Sequence, residues 1–286
     1  MTTTRAGRAI RSVTAIVDVA GERRSAAVAT DFARKTDAHL TGIALAYDPV
    51  LPVYTVAAPL PADFVVDARE DALSDAKDAA GAFESIAAAA GISVETRTVE
   101  TNGAGGFGAL VAECVLTDLV FVGQQTPEQT EPMREALIET VLFQASVPVF
   151  IVPQNGATAF NSDYALVAWD GSVTAARAVR EALPLLGLAG TVTVVVVDDG
   201  KSKSLAGEPG ADVAAYLARH DLDVNVRLIP NSPKGVGDAL KTFAAAEKAD
   251  WMVMGAYGHG RLREFILGGA TRALLQSMPI PVLMAH

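Results

Sequence analysis

Asp250-Trp-Met-Val-Met-Gly255-Ala-Tyr-Gly258-His-Gly-Arg-Leu-Arg-Glu-Phe-Ile-Leu-Gly268-Gly269 is a short apolar run that opens into a widely spaced glycine loop, and Thr271-Arg-Ala-Leu-Leu-Gln276 beyond it reads as a helix. Glycine between a strand and a helix lets backbone N–H groups approach a ligand with no Cβ in the way, and the start of the helix adds its positive dipole end. Such a place suits an anion, phosphate above all. His259, Arg261, Arg263 and Arg272 add local positive charge around the loop.

Working outward, the run before the loop has a counterpart earlier in the chain. Asp118-Leu-Val-Phe-Val-Gly123 resembles Asp250 to Gly255 at an offset of 132 (255 − 123), and Val147-Pro-Val-Phe-Ile-Val152 resembles Ile280-Pro-Val-Leu-Met284 at 133 (281 − 148). Each copy opens on a strand that ends in aspartate, Ala15-Ile-Val-Asp18 and Leu166-Val-Ala-Trp-Asp170, but at an offset of 152 (170 − 18). The chain is therefore an internal repeat whose first copy is longer by about 20 residues. The extra length is placed at the Pro-rich, apolar stretch from Tyr47 to Pro61, an insertion near 47–70 that exceeds an ordinary connection.

In the second copy, strands are expected near 164–169, 191–197, 224–229, 251–255 and 281–285, and helices near 174–186, 211–219, 236–247 and 266–277. The first copy repeats the scheme, with a long Ala-rich helix from about 68 to 90. Near-continuously apolar strands alternating with helices make a parallel sheet covered on both faces. The expected fold is α/β, two tandem Rossmann-like domains at 1–153 and 159–286 with Pro153 to Thr158 as linker. A length of 286 residues fits two domains.

Composition excludes several functions. A net charge of −10 repels nucleic acid and anionic membrane alike. No apolar run approaches the roughly 18 residues of a membrane span, and the basic Arg5, Arg8 and Arg11 are not followed by the apolar segment of a signal peptide, so the chain is expected in the cytoplasm. The single Cys114 forbids an intrachain disulfide and lies on an apolar stripe with Leu110 and Val111, which makes it a core residue. The four histidines are too scattered for a metal site. Gly103-Ala-Gly105-Gly-Phe-Gly108 matches G-x-G-x-x-G, but it falls at the third strand-to-helix turn and the next strand ends at Gly123 where a ribose-binding acid is required. No nucleophile with an adjacent base and no paired carboxylates at the glycine loop can be assembled, so no catalytic residue is assigned.

The glycine spacing carries a family resemblance. Gly255, Gly258 and Gly268 fall on the glycines of the G-x2-G-x9-G-[S/T] signature of the nucleotide-binding branch of the universal stress protein family, with Gly269 standing where that signature has Ser or Thr. The resemblance covers nearly the whole chain. It implies five parallel strands per domain, with the last strands of the two halves meeting at a pseudo-twofold axis. It also implies ATP or another adenine nucleotide in the second domain: Asp170 against the nucleoside, Val197 lining the base, backbone of Gly255, Gly258, Gly268 and Gly269 at ribose and phosphates, and Ala270 and Thr271 in the turn that follows. Asp170-Gly171-Ser172 also has the letters of a turn and helix cap, but the aspartate and the loop agree on one crevice, which favours the site. The first copy should not hold phosphate this way, because Thr126 and Ala136 replace glycines while Glu128, Glu131 and Glu135 repel an anion. The implied function is a non-catalytic stress response protein that reports nucleotide to a protein partner. The alternatives are a nucleotide-independent protein acting through dimerisation and protein contacts, as a homodimer beyond the intrachain pseudo-dimer, and a slow ATPase.

Overall fold

The computed structural model describes residues 9–19, 21–47, 62–101, 106–124, 134–198, 208–257 and 269–286. Arg11–Val147 forms one compact unit, and Pro148–His286 belongs to a second. The first holds β1 (Ser12–Val17), α1 (Arg24–Thr36), β2 (His39–Ala46), α2 (Ala62–Ala89), β3 (Glu95–Glu100), α3 (Gly108–Cys114), β4 (Leu119–Gly123) and α4 (Arg134–Thr140), which runs on into a π-helical turn at Val141–Ala145. The second holds β5 (Val149–Val152), β6 (Tyr164–Ala168), α5 (Val173–Leu186), β7 (Thr191–Asp198), α6 (Ala211–Ala218), β8 (Val224–Pro230), α7 (Val236–Glu247), β9 (Trp251–Gly255), α8 (Gly269–Gln276) and β10 (Val282–Ala285).

In the first unit the strand order is β3-β2-β1-β4, and in the second β5-β10-β9-β6-β7-β8. The pairings within them are parallel except β5 with β10, which is antiparallel and sets Phe150 opposite Leu283. The last strands of the two copies therefore meet as the resemblance implied. The α/β architecture of parallel strands and helices is the expected one.

The strands are apolar because both faces are covered. In β7 the run from Val192 to Val197 is buried throughout, and β4, β5 and β10 are buried at every position. The helices bury one stripe each: Val28, Ala29, Phe32 and Ala33 on α1, and Ala175, Ala178, Val179, Ala182, Leu185 and Leu186 on α5. Phe32 meets Phe121 at 5.3 Å between ring centroids in the first core, and Phe150 meets Phe160 and Trp251 at 5.8 and 6.0 Å in the second. Cys114 is fully buried, and burial pushes its thiol up to about 12, as befits a core residue.

The aspartates that begin the repeated runs perform the same task in each copy. Asp118 Oδ2 accepts from the backbone N–H of Arg11 (2.9 Å) and Ser12 (3.1 Å), and its own N–H donates to Ser12 O (2.8 Å). Asp250 Oδ2 accepts from Tyr164 N–H (2.9 Å) and its N–H donates to Tyr164 O (2.9 Å). Each carboxylate thus fastens the start of the copy's first strand to the start of its fourth.

Strand register locates the extra length of the first copy. Thr41 pairs with Glu95 and Thr193 with Asn225, so the offset between copies is 152 (193 − 41) at the second strand and 130 (225 − 95) at the third. The Pro-rich segment contributes little of this, since residues 47–61 precede α2 and a comparable 199–210 precede α6. The difference lies in the helices, 28 residues in α2 against eight in α6. The stretch 62–70, read as insertion, is the first part of α2, while 48–61 lie outside the described residues.

Candidate functional site

Strand order reverses between β6 and β9, and the crevice of an open parallel sheet opens beyond the carboxyl ends of the strands at that point. Ala168 pairs with Val195 and Val167 with Val253. Carried on by the same register, Val197 falls opposite Asp170 and Gly255 opposite Trp169, one residue short of Asp170, so the three residues named from sequence stand near one another at the carboxyl ends of adjacent strands. Val197 is 9% exposed, and Asp170 is exposed.

Local chemistry fixes each of them. Asp170 follows β6 and its Oδ1 accepts from Ser172 N–H at 2.9 Å, across Gly171 at φ 76°. Ser172 then caps α5, its Oγ accepting from Ala175 N–H at 3.1 Å and lying 3.0 Å from Thr174 Oγ1. The turn and the site are thus one feature: the Asx turn leaves the carboxylate exposed at the mouth of the crevice and seats the helix start below it. Thr174 carried no signal of its own in the sequence, since its importance depends on the cap.

Gly255 owes its identity to this helix. A Cβ there would lie 2.5 Å from Ala175 N and 2.6 Å from the Thr174 carbonyl carbon, so the end of β9 presses against the first turn of α5. The chain then turns through Tyr257 at φ 61°, a left-handed conformation that costs a non-glycine residue roughly 1–2 kcal/mol. Ala256 N–H donates to Ala285 O at 2.9 Å, and His286 Nδ1 lies 3.0 Å from Ala256 O, which anchors the entry to the loop. Gly258 and Gly268 fall outside the described residues.

Beyond the loop, Gly269 opens α8. Its φ is not in the left-handed region, and among the described residues nothing lies within 4 Å of where its Cβ would be. Ala270 is half-buried, and Thr271 faces inward with Leu274 at 3% exposure. The first turn of α8 is held by α7: a Cβ on Gly237 would stand 2.8 Å from Ala273 Cβ and 3.1 Å from Ala270 O. Sequence reasoning missed Gly237, because a glycine inside a helix declares no partner. Among the described residues no three of His, Cys, Asp and Glu converge to hold a metal ion, and no helix is long and apolar enough to cross a membrane.

At the equivalent point of the first copy the arrangement differs. Asp18 turns inward, its Oδ1 accepting from Arg134 Nη2 at 2.6 Å and its Oδ2 from Ser25 Oγ at 3.1 Å. Thr126 and Glu128 lie outside the described residues, and Ala136 is on α4.

Residues 233–286 match the model of the universal stress protein family. No curated protein sequence matches significantly. Among solved structures, the chain is similar to a universal stress protein from Archaeoglobus fulgidus at TM-score 0.69 and 17% identity, over 96% of this chain and 95% of that one. It is similar to a putative universal stress protein from Pseudomonas aeruginosa at TM-score 0.58 and 18% identity, over 97% and 93%. A universal stress protein solved in complex with cAMP is 19% identical over 43% of this chain and 97% of its own, at TM-score 0.33.

Proposed function

We propose that the chain is a universal stress protein, a reading supported by the family match over residues 233–286 and by the likeness of its fold to a solved member, and that it is a non-catalytic, nucleotide-responsive stress protein whose second copy binds ATP or another adenine nucleotide. The observation that carries this reading is the gathering of Val197, Asp170 and Gly255 at the carboxyl ends of three adjacent strands at the switch point of the second sheet. An apolar wall, a carboxylate and a strand end leading to a helix start match the three parts of a nucleotide: base, ribose hydroxyls and phosphate. Gly258, Gly268, Gly269, Ala270 and Thr271 complete the proposed ligand set. The two copies are assigned as domains 1–153 and 159–286, the protein is placed in the cytoplasm, and a protein partner reads the nucleotide state.

Position 269 favours one other reading. A glycine there supplies no hydroxyl to a phosphate, and losing such a bond to a charged group costs about 1.5–3 kcal/mol. On that reading the chain acts without nucleotide, through dimerisation and protein contacts.

Isothermal calorimetry with ATP, ADP and AMP on the full chain and on Asp170→Ala separates the two. The nucleotide reading expects saturable binding by the parent and weaker binding by the folded variant. Absence of binding to any of the three by a folded parent overturns it.

A further inference from the structure

The connection from β5 to β6 is pinned at both ends and open in the middle. Pro153 is buried directly after β5, and Phe160 is buried against Phe150 with 5.8 Å between ring centroids. Between these anchors Asn155 and Gly156 are both exposed. Among the described residues neither of them has a hydrogen-bond partner, through side chain or main chain. Gly156 stands at φ 99°, which a residue with a Cβ resists, and nothing lies within 4 Å of where its Cβ would be.

An asparagine followed by glycine carries its own electrophile and nucleophile. The main-chain nitrogen of Gly156, once its proton has passed to water, can close on Cγ of Asn155, and the missing Cβ leaves that approach unhindered. A folded chain prevents this by tying the N–H into a hydrogen bond or by holding the side-chain amide, and neither restraint acts at Asn155. The other described asparagines are less well placed. Asn225 is held in the extended backbone of β8, paired with Thr193, and Asn161 and Asn231 are followed by serine, whose Cβ crowds the attacking nitrogen. We propose that Asn155 is a site of spontaneous modification, where the chain converts its own amide to a carboxylate through a cyclic imide. The bond from Gly156 N to Asn155 Cγ forms, the Cγ–Nδ2 bond breaks, and ammonia leaves with a proton taken back from water. A water molecule then opens the ring at one of its two carbonyl–nitrogen bonds. Opening at Cγ leaves aspartate, and opening at the main-chain carbonyl leaves isoaspartate, which lengthens the connection by a methylene. Either product takes the net charge from −10 to −11 (−10 − 1). This chemistry stands whether or not the second copy binds nucleotide.

The test follows the amide in the folded full chain. The parent is incubated at mildly alkaline pH for as long as the same chain, unfolded in urea, takes to convert half of its Asn155, and both are digested and read by peptide fragmentation. In the folded chain Asn155 is expected to show the mass shift of an amide-to-acid exchange and two products of equal mass, at a rate comparable to that in urea and ahead of Asn161, Asn225 and Asn231. Conversion is expected to quicken as pH rises, because the attacking nitrogen must lose its proton. In Asn155→Gln, whose longer side chain closes a ring far more slowly, the signal at this position is expected to be lost. A folded parent that keeps its Asn155 amide while the unfolded chain loses it overturns the proposal. Conversion confined to Asn102, the asparagine before Gly103 that lies outside the described residues, overturns it equally.

Discussion

Gly269 is the one residue at which this chain departs from the nucleotide-binding signature, and its surroundings leave it free to change. Its φ needs no glycine and the space beside it is open among the described residues, so Gly269→Ser fits without strain. The added hydroxyl at the start of α8 is expected to tighten ATP binding by about 1.5–3 kcal/mol, roughly 10- to 100-fold, in calorimetric titration. An unchanged affinity in the folded variant would show that the phosphates do not reach this helix. Gly255 is constrained where Gly269 is not. Gly255→Ala forces a Cβ against the backbone of α5 and is expected to cost about 1–3 kcal/mol in denaturant unfolding, with or without ligand. Cys114 gives a residue-level test of the core. Its thiol is raised from 9.0 to about 12, first by burial and then by Glu113, so it stays protonated in the folded protein. A group whose folded value is raised contributes stability below its unfolded value and loses it as pH rises, which places the loss between about pH 9 and 12. At pH 8 a thiol reagent should modify Cys114 only on unfolding, and rapid labelling of the native chain would contradict the packing.

Among the elements, α5 does the most to shape the candidate site, because its first turn is capped by Ser172 and pressed by Gly255 at once. Ser172→Ala removes the acceptor for Ala175 N–H and is expected to destabilise the chain by about 1 kcal/mol while loosening the turn that presents Asp170. A loss of stability with undiminished nucleotide affinity would mean that the turn does not position the carboxylate. The strands and helices of the second copy were legible to within a few residues, because continuously apolar strands and one-sided helices leave clear periodic marks. Asp118 and Asp250 were visible as repeated letters, but their task as strand fasteners was not, since it depends on which strand lies alongside. The length of α2 was misplaced for a related reason. The helix was expected from about 68 and begins at Ala62; residues 65–75 include no buried position, so no apolar stripe marked where it starts, and the prolines just upstream drew the insertion to themselves. The inward turn of Asp18 was equally hidden: Arg134 is 116 positions away, and no local pattern joins the two.

For the molecule as a whole, duplication has produced two switch points of unequal fate. In the second copy the aspartate is exposed above a capped helix, and in the first it is spent on an internal cation. The expected stoichiometry is therefore one adenine nucleotide per chain, not two. A ligand bound only to the native state at 100 times its dissociation constant adds about 2.7 kcal/mol of stability, so saturating ATP should raise the thermal midpoint through one copy alone. Hydrogen exchange with and without ATP locates that gain. Slowed exchange is expected at the ends of β6 and β9 and in the first turns of α5 and α8, with the turn after Asp18 and the start of α4 unchanged. Equal protection at both switch points, or a calorimetric stoichiometry near two, would mean that nucleotide displaces Asp18 from Arg134, and the functional asymmetry between the copies would have to be abandoned.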